Sequence, residues 1–122
     1  MPRFVILHHQ VPPKSQRISH WDLMLEQGDH LTTWEFPKAP EVGTCFNVVP
    51  LANHRLEYLD YEGPLTRQRG TVSRYDWGKY TTILEDAEQQ VILLDGQLLV
   101  CRLTIGKIPG NAEKILVQID PL

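Results

Sequence analysis

Apolar and polar positions alternate with a period of two along most of the chain, and turn-forming residues interrupt the alternation at short intervals. In residues 19–27 the large apolar side chains fall on Trp21, Leu23 and Leu25, with His20 and Asp22 between them. Such a period belongs to extended backbone, whose successive side chains point to opposite faces. Comparable segments occupy residues 3–9, 30–36, 44–50, 54–61, 71–75, 79–84, 90–94, 97–105 and 114–119. Pro12-Pro13, Gly28-Asp29, Gly43, Gly63-Pro64, Gly70, Gly78 and Asp95-Gly96 separate them, all residues that favour chain reversal. Asp95-Gly96, flanked by Leu93-Leu94 and Leu98-Leu99, predicts a tight hairpin. Short strands at this spacing predict an all-β fold, a small closed or nearly closed antiparallel β-barrel, because closure hides the sheet edges. Helix is confined to one or two short helical turns at residues 13–18 and 85–89.

A chain of 122 residues makes one domain, residues 1–122, large enough to bury a core without disulfides. With 12 basic and 15 acidic residues the net charge is −3, which argues against a protein that coats nucleic acid through bulk positive charge. Recognition of a nucleic-acid end by a small local site is compatible with that balance. The apolar runs suit buried strands rather than a signal peptide or a membrane span, so a cytoplasmic protein with no membrane partner is expected. Cys45 and Cys101 lack metal-binding spacing and are expected to be buried and reduced. Trp21, Trp34 and Trp77 are expected to pack the barrel.

If Trp21, Leu23 and Leu25 face one way, His20 and Asp22 project together from the other, about 7 Å apart along the strand. One ion can then touch both. An imidazole nitrogen and a carboxylate oxygen suit a divalent transition metal such as Mn²⁺ or Zn²⁺, and His8 or His9, ending the first strand, is the natural third ligand. Glu26 shares the predicted face of Asp22, either orienting a histidine or lying free at the surface. In residues 54–61 the same alternation places His54, Leu56 and Tyr58 together. His54 and Tyr58 can donate to a phosphate oxygen, or the tyrosine hydroxyl can simply be satisfied by the histidine.

Five stretches in order, Phe4-Val5-Ile6 with His9, His20-Trp21-Asp22-Leu23-x-Leu25-Glu26, Trp34-x-x-Pro37-Lys38-x-Pro40, His54-x-Leu56-Glu57-Tyr58-x-Asp60-Tyr61-Glu62-Gly63 and Gly70-Thr71-Val72, resemble the phosphoesterase domain of bacterial DNA ligase D. The resemblance runs over residues 3–105 and is most specific at residues 54–63. It implies a small barrel enzyme of DNA end repair that uses Mn²⁺, or Zn²⁺ or another divalent transition metal, to remove a 3'-phosphate and a terminal ribonucleoside. The partners implied are DNA or RNA/DNA 3' ends, with a separate ligase or polymerase of end joining. Residue by residue it places the metal on His9, His20 and Asp22, catalysis on His54 and Tyr58, and phosphate binding on His54, Tyr58 and Lys38.

Three departures stand out. Met24 occupies the position of a family arginine, residues 11–14 lengthen the link between His9 and His20, and residues 64–69 replace a glycine-rich segment. A thioether cannot bind phosphate as a guanidinium does. Arg17, Lys38, Arg67 and Arg69 are the cations able to stand in. The alternative expectation is therefore a catalytically weakened or inactive metal-binding barrel serving as a DNA-end or repair-protein binding module.

Overall fold

Period-two segments become strands wherever one face finds a core, and here nearly all of them do. The computed structural model describes residues 2–108 and 110–122, those at 112 and 113 through the backbone alone. The strands are β1 (Arg3–Gln10), β2 (His20–Gln27), β3 (His30–Phe36), β4 (Cys45–His54), β5 (Gly63–Pro64), β6 (Thr71–Glu85), β7 (Gln89–Gly96), β8 (Val100–Ile108) and β9 (Asn111–Pro121), with one 3₁₀ turn, η1, at Leu56–Leu59. Antiparallel pairing runs β1-β2-β3-β4-β9-β8-β7-β6, and β6 pairs again with β1. The ring is thus a closed eight-stranded barrel, with β5 a short addition on β6.

Phe4, Ile6, Leu23, Leu25, Phe36 and Leu103 are among the side chains filling the interior, as expected for a barrel of this strand number. The outer face of β1 and β2 is also apolar. Val5, Leu7, Met24, Leu31 and Val72 form a second buried cluster under Leu59 of η1, with Leu56, Tyr58, Tyr61 and Leu65 packed on it. The segment between β4 and β6 therefore roofs part of the barrel wall. Strands β1 and β2 are buried on both faces where this roof covers them.

Several local expectations are corrected. Residues 54–61 are not a strand: His54 ends β4 and η1 follows, so His54, Leu56 and Tyr58 do not share a strand face. Leu56 and Leu59, three residues apart, instead set the 3₁₀ period against the outer cluster. The segments 71–75 and 79–84 are one strand, β6. Gly78 is no turn; a Cβ there would lie 2.1 Å from the Asp95 carbonyl oxygen of neighbouring β7. Asp95-Gly96 still pairs within β7, and the reversal falls on Gln97-Leu98. Buried Asp76 fixes that reversal, its Oδ1 accepting from the backbone N–H of Gln97 and Leu98 and its Oδ2 from that of Leu99. Residues 13–18 form turns and bends rather than helix, and in 85–89 Glu85 ends β6 and Gln89 opens β7 with only a bend at 87–88 between them. Cys45 is exposed, against expectation, because its strand position faces outward; Cys101 is buried, and burial pushes its thiol up to about 11. Among the described residues no helix is long and apolar enough to cross a membrane.

Candidate metal centre and adjoining clefts

Register places three polar side chains on the outer wall at the edge of the roofed patch. In the antiparallel β1–β2 pair, His9 lies opposite His20 and Leu7 opposite Asp22, so His9, His20 and Asp22 share one face. One nitrogen of each imidazole and one oxygen of the carboxylate all lie within 4.8 Å of one another. His20 Nε2 is 3.4 Å from Asp22 Oδ1, and His9 Nδ1 is 4.0 Å from Asp22 Oδ2. His8 points to the other face and stacks on Trp21 with ring centroids 4.4 Å apart. Of the two adjacent histidines, His9 is the one at the cluster.

The remaining nitrogen of each ring has a fixed partner. His9 Nε2 donates to the Arg69 carbonyl at 2.8 Å, and His20 Nδ1 donates to the Ile18 carbonyl at 3.1 Å. A carbonyl can only accept, so each ring, when neutral, carries its proton on that side and turns a lone pair toward Asp22. Backbone-anchored imidazoles of this kind are the usual outer support of metal-binding histidines. Asp22 is buried, and its Oδ1 receives no hydrogen bond. A buried carboxylate oxygen without a donor is costly unless a cation meets it. Burial lowers the affinity of His20 for a proton, but Asp22, the Ile18 carbonyl and Glu35 outweigh burial and hold its pKa above the ordinary value. Two nitrogen lone pairs and one orphaned carboxylate oxygen, all convergent, could hold a divalent metal ion.

Glu35 was not legible as part of this site. Its Oε1 lies 3.5 Å from His20 Nε2 and 2.8 Å from Arg17 Nη2, because β3 pairs Glu35 directly with Asp22. The outward alternation of Leu31, Thr33 and Glu35 was the available signal. Glu26 points elsewhere, accepting from the backbone N–H of Arg3 at 2.9 Å.

Two clefts that share His9, Asp22, His54 and Arg69 adjoin the trio. A cleft of about 290 Å³ is lined by His9, His20, Asp22, His54, Arg17 and Arg69, among others. A smaller one of about 80 Å³ brings His9, Asp22 and His54 together with Tyr58, Met24 and Arg69. His54 and Tyr58 meet edge to face with centroids 5.6 Å apart, through the turn of η1 rather than through strand alternation. Thr33 Oγ1 donates to the Leu31 carbonyl at 3.1 Å, so it accepts from His54 Nδ1 at 3.0 Å; the Ala52 carbonyl also accepts from Nδ1 at 2.9 Å. His54 Nε2 is thereby left as the working nitrogen. Lys38 is exposed after β3 and lines neither cleft. Met24 is a buried member of the outer cluster and forms the apolar floor of the smaller cleft.

The turn before β6 completes the enclosure. Arg67 and Gln68 both adopt left-handed backbone, φ 60 and 55, and Gly70 follows at φ 98. A Cβ on Gly70 would fall 2.0 Å from the Gln10 carbonyl oxygen, so only glycine lets this turn press against the end of β1. That approach delivers the Arg69 carbonyl to His9. Consecutive non-glycine residues in the left-handed region are costly and concentrate at functional sites.

A comparison with protein families matches residues 10–112 to the family described as the DNA Ligase D 3'-phosphoesterase domain. His20, Asp22, His54 and Tyr58 lie inside the matched span, and His9 immediately precedes it. A search of curated proteins found no match for the chain.

Proposed function

The chain belongs to the DNA ligase D 3'-phosphoesterase domain family, and on that premise we propose that it is a Mn²⁺-dependent phosphoesterase acting on the 3' ends of DNA or RNA/DNA. Its reaction would remove a 3'-phosphate and a terminal ribonucleoside, leaving the 3'-hydroxyl that a separate polymerase or ligase requires. The observation that carries the reading is the convergence of His9, His20 and the donorless oxygen of Asp22 beside a cleft that His54 and Tyr58 also line.

His9, His20 and Asp22 would hold the ion, with Zn²⁺ the other metal that suits two imidazoles and a carboxylate. A divalent cation there supplies Lewis-acid polarisation of a phosphoryl oxygen. The protein's own groups do the rest. The Arg69 and Ile18 carbonyls accept from His9 Nε2 and His20 Nδ1 and so orient the other nitrogen of each ring toward the ion. Tyr58 donates its hydroxyl to a phosphate oxygen, and His54, whose Nδ1 proton is committed to the Ala52 carbonyl, takes a proton at Nε2 from the water whose oxygen bonds to phosphorus and passes it to the leaving 3' oxygen as the P–O bond breaks. Apolar Met24 and Leu7 line the inner end of the smaller cleft, which strengthens these contacts by limiting water.

Purified protein with Mn²⁺ and an oligonucleotide ending in a 3'-phosphate tests this directly. Phosphate release is expected, with His20→Ala abolishing it and His54→Ala or Tyr58→Phe lowering it roughly 10²- to 10³-fold while Mn²⁺ binding persists. Metal binding without turnover would instead support a binding module for DNA ends or a repair partner. Absence of metal binding would overturn both.

A further inference from the structure

The clefts beside the metal centre need a cation for phosphate oxygens that the metal does not reach, and two arginines, Arg17 and Arg69, are among their lining residues. Arg17 is already paired, its Nη2 2.8 Å from Glu35 Oε1. Arg69 forms no ion pair among the described residues. Arg69 lines both clefts and a third groove shared with Tyr58 and Tyr61. Thr66 holds it from behind: Nε donates to the Thr66 carbonyl at 3.0 Å and Nη2 to Thr66 Oγ1 at 3.1 Å. Guanidinium carries five N–H donors, so this grip fixes the plane of the group and leaves three of them for a ligand. A fixed planar fork is the arrangement that binds phosphate in two places at once.

We propose that Arg69 is the phosphate-gripping residue of this site, receiving the terminal phosphate of a strand whose preceding nucleotide lies in the groove of Tyr58 and Tyr61. The inference rests on the phosphoesterase reading for its substrate class, a terminal phosphate on a nucleic-acid strand. One residue thereby does two separable things. Its backbone carbonyl orients His9, and its side chain selects the ligand. The left-handed backbone at Arg67 and Gln68 is what allows both from a single position.

Binding of three probes, inorganic phosphate, a 3'-phosphorylated oligonucleotide and the same strand ending in 3'-hydroxyl, is measured by calorimetry on wild type, Arg69→Ala and Arg69→Lys. The first two probes are expected to bind Arg69→Ala roughly 10- to 100-fold more weakly, the range of a charge-assisted hydrogen bond. Affinity for the 3'-hydroxyl strand should stay within about twofold of wild type, and Arg69→Lys should recover part of the loss, because charge returns without the fork. Weakening by the strand alone, with inorganic phosphate unchanged, would place Arg69 on the strand backbone and overturn the proposal. So would equal weakening of both strands, unchanged phosphate binding, or loss of Mn²⁺ affinity in Arg69→Ala, the last marking a structural role through His9. A wild type that prefers the 3'-phosphate strand yet releases no phosphate would sink the phosphoesterase reading while leaving Arg69 in its role.

Discussion

Replacing Asp22 by Asn should move fold stability and metal affinity in opposite directions. Asp22 is 4% exposed, and its Oδ1 has no hydrogen-bond donor. The nearest polar atoms, His20 Nε2 at 3.4 Å and His9 Nδ1 at 4.0 Å, present lone pairs as long as the rings are neutral. An uncompensated buried polar group costs about 1–3 kcal/mol, and more when charged. Asparagine has the same shape, removes the charge and can donate its amide N–H to an imidazole lone pair. At about pH 8.5, well above the ordinary histidine value, the metal-free variant should therefore be more stable than wild type by about 1–2 kcal/mol. For a domain of this size that is a rise of roughly 4–8 °C in Tm by calorimetry or dichroism. Mn²⁺ should behave in the reverse way. At a hundred times its Kd the ion stabilises wild type by about 2.7 kcal/mol, and the variant, without its anionic ligand, should lose nearly all of that increment. A variant that is destabilised without metal yet keeps the Mn²⁺-dependent rise in Tm would refute the reasoning, since Asp22 would then be a structural acceptor rather than a ligand.

Four other outcomes follow from contacts described above. The pKa of His20 is held above its ordinary 6.5, and a metal ligand must be neutral, so Mn²⁺ affinity measured by spin resonance should fall as pH drops through that raised value, approaching tenfold per pH unit. In the metal-free protein the sign reverses: the stability that protonated His20 contributes is complete below 6.5 and is lost as pH rises through the raised folded value. Asp76→Ala leaves the backbone N–H groups of Trp77, Leu98 and Leu99 without the carboxylate that accepts from them and leaves that of Gln97 only the Trp77 carbonyl at 3.2 Å, and denaturant titration should show a loss of at least about 3 kcal/mol. Gly70→Ala should weaken Mn²⁺ binding about 10- to 100-fold by calorimetry, because the added Cβ, 2.0 Å from the Gln10 oxygen, pushes the Arg69 carbonyl off His9.

Much of the site follows from the period of the strands. Alternation in β2 sets His20 and Asp22 on one face, and the barrel itself is foreshadowed by the number and spacing of the short segments. The choice between His8 and His9 was not local, since either side chain can face the cluster at a strand end; pairing of His9 with His20 decides it. Alternation misled at residues 54–61, where His54, Leu56 and Tyr58 mimic a strand although the chain there must fold over an already buried wall. Met24 reads as a missing cation in the sequence, and in three dimensions it is part of the apolar cluster beneath η1. The glycines at 78 and 96 look like turn residues, but both answer to close neighbours, the Asp95 carbonyl and the Asp76 carboxylate. Contacts between segments far apart in the chain decided each of these, and composition and period carry no record of them.

Crystals grown with Mn²⁺ and measured at the manganese absorption edge would locate the ion without reference to any assumed chemistry. A metal site on the outer wall of the barrel predicts one strong anomalous peak there, coordinated by His9 Nδ1, His20 Nε2 and the Asp22 carboxylate, with open positions toward His54 and Arg69. A protein that crystallises with this fold and binds no ion between those three side chains, or carries it at another site, would contradict it.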